Sequence, residues 1–279
     1  MTAQKDLFHS LSVQPFWQIK KDNQVVLTDG DSGLPLSYIY EFHVEKGATA
    51  LDCVPGIGLV GLLLSLDSEY PKAICCGALN KSKKVPLFGM SHVLSCQLFP
   101  GEFSRIFGVS SKELSDAEIP LEDIIKCGSF PEQLASAETF KARLNFIKDF
   151  LIEQEKLSKF SHIGKLTHAI VHDIMQRHGN VHMSELESYT GYSTRYLQQI
   201  FADQIGLAPK IAISNIRFQS ALRMMVEKPE LSLATIAQVN GYYDQSHFTK
   251  VFKEYTGMTP ALFMKDMTPY VILPKEMLK

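Results

Sequence analysis

Two short stretches in the last third of the chain carry hydrogen-bonding side chains at spacings of one, four and five residues. Residues with these spacings lie on one face of an α-helix. The two sets are Thr194, Arg195, Gln198 and Gln199, and then Gln245, Ser246, Thr249 and Lys250. In the DNA major groove, Arg and Lys suit the acceptors of guanine, and Gln suits adenine. If helices present these sets to solvent, both can bind base edges.

Both stretches belong to a repeat in the sequence. Leu186 to Gly191 registers with Ile236 to Gly241 at an offset of 50 residues. Phe201 to Pro209 registers with Phe252 to Pro260 at an offset of 51, because Tyr243 is inserted in the second copy. Recurrence of this kind means that one supersecondary unit is used twice.

Each copy has the local signals of two short helices joined by a turn. An apolar helix runs to Gly191 or Gly241, which can adopt positive φ and end it. Ser193 or Asp244 then caps the next helix. That helix buries residues at i, i+3 and i+4, namely Leu197, Ile200 and Phe201 in the first copy and Phe248, Val251 and Phe252 in the second.

These signals predict helix-turn-helix units at about 181–202 and 231–253, whose second helices enter the DNA major groove. An ordinary helical hairpin that packs for its own sake is the alternative. Two copies in register, with matching Gly and Pro stops, argue against it.

A known family carries the same motifs. Residues 241–248, Gly-Tyr-Tyr-Asp-Gln-Ser-His-Phe, then Val-Phe-Lys at 251–253 and Thr-Gly-Met-Thr-Pro at 256–260, closely resemble the second helix-turn-helix of AraC/XylS-type bacterial transcription regulators. The first copy resembles their first unit, and residues 216–222 resemble their linker helix. The resemblance covers roughly residues 160–266. Departures are Met264, where an Arg often follows the aromatic residue, and Glu187, where a small residue is usual.

The resemblance implies a domain that binds double-stranded DNA and a chain that regulates transcription, with RNA polymerase as a further partner of an activator. Ten residues match DNA-contacting positions or the caps beside them: Ser193, Thr194, Arg195, Gln198, Gln199, Asp244, Gln245, Ser246, Thr249 and Lys250. One chain with two unlike recognition helices is expected to bind an asymmetric site.

Charge is distributed unevenly along the 279 residues. Residues 158–279 carry 13 Lys and Arg against 10 Asp and Glu, a net charge of +3, whereas residues 1–157 carry 15 against 20, a net charge of −5. The asymmetry mildly favours nucleic acid at the C-terminal end. The length suits two domains.

The first half of the chain predicts β-structure. Short apolar runs between Leu11 and Leu98, punctuated by Gly and Pro, are typical of a sandwich or small barrel. Residues 96–109, a strand, a Pro-Gly turn and a helical turn, resemble the N-terminal domain of a subgroup of AraC-type regulators whose ligand is generally not assigned. The predicted class is α+β: a β-rich sensor-like domain at 1–130, followed by an all-α domain with two helix-turn-helix units. The residues that would bind an effector are unknown.

An amphipathic helix is predicted within residues 131–158. Phe140, Leu144, Ile147 and Leu151 form an apolar seam with spacings of four, three and four residues. Two interpretations stay open: the seam packs on the chain's own sheet domain, or it makes a homodimer. If it makes a dimer, Leu144→Glu with Ile147→Glu should leave a folded protein.

Other function classes find little support. The chain lacks the phosphate-loop, dinucleotide, serine-hydrolase and zinc-protease motifs, so we expect no enzyme and no cofactor. His168 and His172 have metal-ligand spacing without a third ligand, and Cys75 with Cys76 is expected in a buried strand, so we expect no metal. With no signal peptide and no membrane-spanning run, we expect a cytoplasmic protein without a membrane partner. The alternative function is a small-molecule-binding module whose DNA contact is secondary.

Overall fold

The structure is a computed structural model that describes residues 24–27, 36–44, 50–54, 59–67, 69, 71–80, 83–158 and 163–266. Most strands come first along these residues and most helices follow, with one short strand at Glu118–Pro120 after the first helices, so the predicted α+β class is confirmed. The apolar residues before Gln24, the glycine-rich residues 55–58 and residues 159–162 lie outside the described ranges.

Eight strands form two antiparallel sheets in the described part of the N-terminal half. The strands are β1 (Gln24–Leu27), β2 (Leu36–His43), β3 (Ala50–Val54), β4 (Gly61–Ser65), β5 (Ala73–Cys76), β6 (Lys83–Pro86), β7 (His92–Leu98) and β8 (Glu118–Pro120). The larger sheet has the order β1-β2-β7-β4-β5-β8, and β3 pairs with β6 alone. Strands β6 and β8 were not predicted, since both are short and contain charged residues or proline.

The apolar run of β4 is buried on both faces. Leu62 and Leu64 belong to the main core, whereas Leu63 belongs to a second cluster on the opposite face of the sheet. Side chains alternate between faces along a strand, so a continuous apolar run indicates a strand covered on both sides. One of the predicted apolar runs in the first half of the chain is thus a buried strand.

The remaining chain is helical. The helices are α1 (Glu102–Phe107), a 3₁₀ helix (Ser111–Leu114), α2 (Leu121–Ile124), α3 (Phe130–Ser136), α4 (Phe140–Leu157), α5 (Ile163–Gln176), α6 (Met183–Thr190), α7 (Thr194–Ile205), α8 (Pro209–Glu227), α9 (Leu233–Val239), α10 (Gln245–Thr256) and α11 (Pro260–Asp266). The turn before α1 is the predicted Pro-Gly turn, in which Gly101 has φ of 89°.

The apolar seam of α4 lies inside the chain's own core. Ile147 and Leu151 are each 1% exposed, and Phe140 and Leu144 pack on the same core. Beside the seam, one helical turn before Ile147, Arg143 donates to both carboxylate oxygens of Glu41 in β2, at 3.0 and 2.9 Å. Helix α4 therefore packs on the sheet domain, which favours the first interpretation of the seam, and a homodimer stays a prediction. Its amphipathic pattern is satisfied within one chain.

The strand cysteines are free and shielded, as predicted for Cys75 and Cys76. Cys75 and Cys96 are buried and Cys76 is half-buried. Burial raises the pKa of the Cys75 thiol well above its usual range, and burial with the nearby Glu118 carboxylate raises the pKa of Cys76 to about 12. These thiols stay protonated and unreactive near neutral pH. Among the residues that the structure describes, no helix has the length and apolar character needed to cross a membrane.

Two apolar cores divide the helical part unequally. The main core runs from the sheet through α1 and α5 into α7 and the first half of α8. A second core surrounds the later half of α8 together with α9, α10 and α11. The first helix-turn-helix unit thus shares its core with the β-rich part, whereas the second has a core of its own. The division at 130, 158 and 160 stays a prediction.

Candidate nucleic-acid interface

The first helix-turn-helix unit is formed by α6 and α7. Gly191 ends α6 with φ of 72°, and its amide donates to Glu187 O at 2.8 Å. Ser193 then caps α7, and its Oγ accepts from the Tyr196 amide at 3.4 Å. Leu197 and Phe201 are fully buried, so the predicted glycine turn, cap and buried face are all present.

The second unit is formed by α9 and α10 and has the same plan. Gly241 has φ of 70°, and a Cβ atom there would lie 2.5 Å from Asn180 Oδ1, so both conformation and space favour glycine. Asp244 Oδ1 accepts from the His247 amide at 2.7 Å and caps α10. Phe248 and Phe252 are fully buried, whereas Val251 is only half-buried.

On α7, the predicted reading face points away from the core. Arg195, Gln198 and Gln199 are exposed, and Thr194 is half-buried at the start of the helix. Glu187 Oε1 accepts from the Thr194 amide at 2.6 Å and from its hydroxyl at 2.5 Å. Glu187 therefore acts as a second cap for α7 and orients Thr194, a role that the sequence comparison did not anticipate.

On α10, Gln245, Ser246 and Lys250 are exposed. Thr249 is half-buried, and its hydroxyl donates to the Gln245 carbonyl at 2.9 Å. Helix α10 also lies against β3, yet the predicted reading side chains of α10 other than Thr249 remain exposed. Ser193 and Asp244 differ from the side chains expected to contact bases, because their side-chain oxygens cap α7 and α10. We expect them to position the recognition helices and to reach DNA only through remaining lone pairs.

Exposed tyrosines flank both turns and were missed by the reasoning from sequence. Tyr243 is 92% exposed beside the start of α10. In the first unit Tyr189 is 65% exposed, and the rings of Tyr192 and Tyr196 lie 4.8 Å apart between centroids. Tyrosine hydroxyls commonly donate to phosphate oxygens in DNA complexes. The one available signal was the insertion of Tyr243 in the second copy.

Helix α8 joins the two units. It has 19 residues, which at 1.5 Å per residue is a length of about 28 Å. Ile213 and Ile216 pack in the main core, and Phe218 and Leu222 pack in the second core. Because side chains of this helix pack in both cores, the helix holds the two units at a fixed separation. Its length is close to the roughly 34 Å between successive major grooves on one face of DNA.

The N-terminal part also holds the end of α7 directly. Ser104 Oγ in α1 donates to Asp203 O at 3.0 Å, and Ser111 Oγ in the 3₁₀ helix donates to Gln204 O at 3.0 Å. Both serines are fully buried. The last carbonyls of a helix lack partners within it, so these hydroxyls satisfy carbonyls near the end of the first recognition helix from the sheet side. Gly206 follows with φ of 82°.

This joint predicts a measurable cost for a small change. Ser111→Ala leaves the buried Gln204 carbonyl without its donor and should lower the free energy of unfolding by about 1–3 kcal/mol. The measurement is urea unfolding of the full chain. Ser136→Ala, an exposed serine on α3, is the control and should change the free energy by less than about 0.5 kcal/mol. Equal values for the two variants would contradict a structural role for the Ser111 hydroxyl.

A buried polar chain links the second unit to the sheet. The Tyr255 hydroxyl in α10 donates to Asn215 Oδ1 in α8 at 2.5 Å, and Asn215 Nδ2 donates to Leu79 O, just beyond β5, at 3.4 Å. Asn215 is fully buried, and burial raises the pKa of Tyr255. Tyr255 therefore stays protonated and keeps its donor. This series of hydrogen bonds connects the segment after β5 to the second recognition helix.

Two histidines in the same region have the spacing of metal ligands. His168 and His172 both lie on α5, and burial lowers the pKa of His168. Within the ranges described above, no group of three His, Cys, Asp or Glu side chains is placed to hold a metal ion.

Comparison with known proteins agrees with the two-unit geometry. A family model described as "Helix-turn-helix domain" matches residues 186–266. The probable transcription factor PqrA of Proteus vulgaris is 31% identical over 94 residues, which cover 34% of this chain and 76% of that protein. The Msm operon regulatory protein of Streptococcus mutans is 25% identical over 170 residues, which cover 60% of this chain.

The matches to longer relatives are partial. The aligned part spans 58% of the Msm operon regulatory protein and 40% of an uncharacterised helix-turn-helix regulator from Haemophilus influenzae. A solved structure of ToxT from Vibrio cholerae aligns over 88% of this chain at 14% sequence identity, with a TM-score of 0.44. By its two capped helix-turn-helix units, their linker helix and the match to PqrA, the chain belongs to the AraC/XylS type of bacterial transcription regulators.

Proposed function

We propose that this chain regulates transcription by binding a specific, asymmetric DNA site with α7 and α10 together. The observation that carries the proposal is the pair of exposed, unlike polar faces on two capped helices that α8 joins rigidly. The first face offers Arg195 with two glutamines, and the second offers Gln245, Ser246 and Lys250. Because the faces differ, the two halves of the DNA site should differ in sequence.

The proposal assigns no catalytic role to the chain and places it in the cytoplasm. Support comes from its free, shielded strand cysteines and from its family. RNA polymerase is a proposed partner if the DNA site lies beside a promoter that the chain activates. A homodimer would need a surface other than the seam of α4. The described N-terminal part would control the DNA-binding helices through a small-molecule effector or through association.

Selection of bound sites from a random DNA pool, followed by a salt titration, tests the proposal. A regulator should enrich one sequence and bind it roughly a thousandfold or more tightly than random DNA. The affinity should fall steeply with salt, because phosphate contacts release counterions. If no sequence is enriched, the alternative of a small-molecule-binding module with secondary DNA contact is favoured.

Arg195 is expected to read a base. Arg195→Ala should weaken binding to the selected site by about 1–3 kcal/mol and relax specificity at one position, because an exposed Arg can make a bidentate contact with guanine. Fluorescence anisotropy with the four single-base variants at each position measures this. Lys228→Ala removes the same charge from an exposed position beyond the end of α8 and serves as the control. An equal loss on every sequence would make Arg195 a phosphate contact.

A further inference from the structure

A cavity of about 350 Å³ lies at the edge of the larger sheet, where β5 pairs with β8 and α2 and α3 approach. Its apolar walls include Ala73, Ile74, Phe88 and Pro131. The volume falls in the range of about 300–1,000 Å³ that is typical of small-molecule sites. The cavity is separate from the reading faces of α7 and α10, so it is free for another role.

Three carboxylates and one ammonium line the cavity. Glu118, Glu122 and Glu132 carry the negative charge, and Lys72 carries the positive charge. Lys83 lies 2.7 Å from Glu118 and offsets its charge. The Lys72 ammonium donates to Phe88 O at 3.3 Å. Even with both lysines counted, one negative charge remains in excess, so the cavity favours a cation.

Two further lining residues, Phe88 and Cys127, indicate which ligands the cavity favours. Phe88 sits at a turn with φ of 51°, is 39% exposed and lines the cavity. An aromatic face attracts an ammonium group through its π electrons. On the other wall, burial raises the pKa of the Cys127 thiol, and the charges of Glu122 and Glu132 raise it further. Both carboxylates line the same cavity as this thiol.

We propose that this cavity binds a small organic cation with an apolar body, such as an amine or a quaternary ammonium compound. The apolar walls bury the body, the carboxylates that line the cavity attract the charge, and Phe88 contacts the charged group. An anion of the same shape would be repelled, and a neutral analogue would gain only from burial of its apolar part. The further claim that this ligand controls DNA binding rests on the function proposed above.

The position of the cavity suits such control. Ala73 and Ile74 belong to β5, and the same segment continues to Leu79, whose carbonyl accepts from Asn215. Asn215 in turn accepts from Tyr255 in α10. A ligand that moves the edge of β5 would thus act on the second recognition helix through a short buried route.

Calorimetric titration of the full chain with three probes of the same shape tests the charge preference. The probes are phenylbutylamine, phenylbutanol and phenylbutyrate. The amine should bind saturably, at least about tenfold more tightly than the alcohol, and the acid should bind least. The amine should also slow alkylation of Cys127 by iodoacetamide, measured by peptide mass mapping so that other cysteines do not interfere. Equal binding of the three probes, or no saturable binding of the amine, would overturn the inference.

Variants locate the site. Glu122→Gln combined with Glu132→Gln, both exposed positions, should weaken amine binding by about tenfold or more while the unfolding transition stays unchanged. Glu138→Gln, an exposed carboxylate outside the cavity, should have no effect on binding. If the double variant binds as the parent does, the amine site is elsewhere and the inference fails. DNA binding is measured separately without probe, so a chain that binds DNA but not the amine refutes only this inference.

Discussion

Inserting about five base pairs between the two halves of the selected DNA site should abolish tight binding. Half a helical turn puts the two halves on opposite faces of the duplex, and one chain cannot reach both. The reason lies in α8, which two separate cores grip along its 19 residues. We expect affinity to fall by a factor of about a thousand or more, to that for random DNA.

The controls for this experiment show whether the two helix-turn-helix units are held at a fixed separation or move independently. Changing the sequence between the halves without changing its length should have little effect on affinity. Inserting about ten base pairs restores the face but adds about 34 Å of separation, which a helix of about 28 Å cannot span. Rescue by the longer insertion would show that the two units move independently. Unchanged affinity with the shorter insertion would mean that one unit reads DNA alone.

Ile147→Glu should unfold the chain or lower its free energy of unfolding by more than about 4 kcal/mol. Ile147 is 1% exposed in the main core, which includes Leu151. A carboxylate at this position would lose its water among apolar side chains, and Arg143, one helical turn away, is already paired with Glu41, so the change is among the costliest in a core. This expectation replaces the one drawn from the sequence, in which a seam used for a dimer tolerates glutamate. Circular dichroism and urea unfolding measure the outcome.

A matched control is available on the same helix. Asn145→Glu introduces the same side chain and the same change of charge at an exposed position two residues away. It should change stability by less than about 0.5 kcal/mol. If Ile147→Glu stays folded and instead lowers the solution mass from that of a dimer to that of a monomer, the seam is intermolecular after all.

The sequence by itself determined the two helix-turn-helix units. Their signals are local: Gly191 and Gly241 turn the chain at positive φ, and Ser193 and Asp244 cap the helices that follow. The buried faces follow from helical spacing, which leaves the polar readers outside. Each signal acts within a few residues, so no knowledge of distant contacts was needed. Because the unit is repeated, each turn, cap and apolar spacing was observed in two copies, which strengthened the prediction.

The partner of an amphipathic face is a different kind of question, and only the tertiary structure answered it. The amphipathic pattern of α4 predicts that one face of the helix is buried, but either a sheet or a second chain can bury it. In the structure Arg143 and Ile147 bring α4 onto the sheet domain. Likewise, Ser104 and Ser111 look like ordinary polar residues until the fold buries them against the end of α7, about 90 residues further along the chain.

The cavity also depended on distant contacts. Its walls come from β5, the turn before β7, β8, α2 and α3, elements that the sequence separates and the sheet order brings together. Strand β8 is three residues long and, among the described strands, pairs with β5, so its place follows from pairing rather than from its own composition. Local propensity fixes where short helices begin and end, whereas the burial of charge and the shape of a cavity depend on which elements become neighbours.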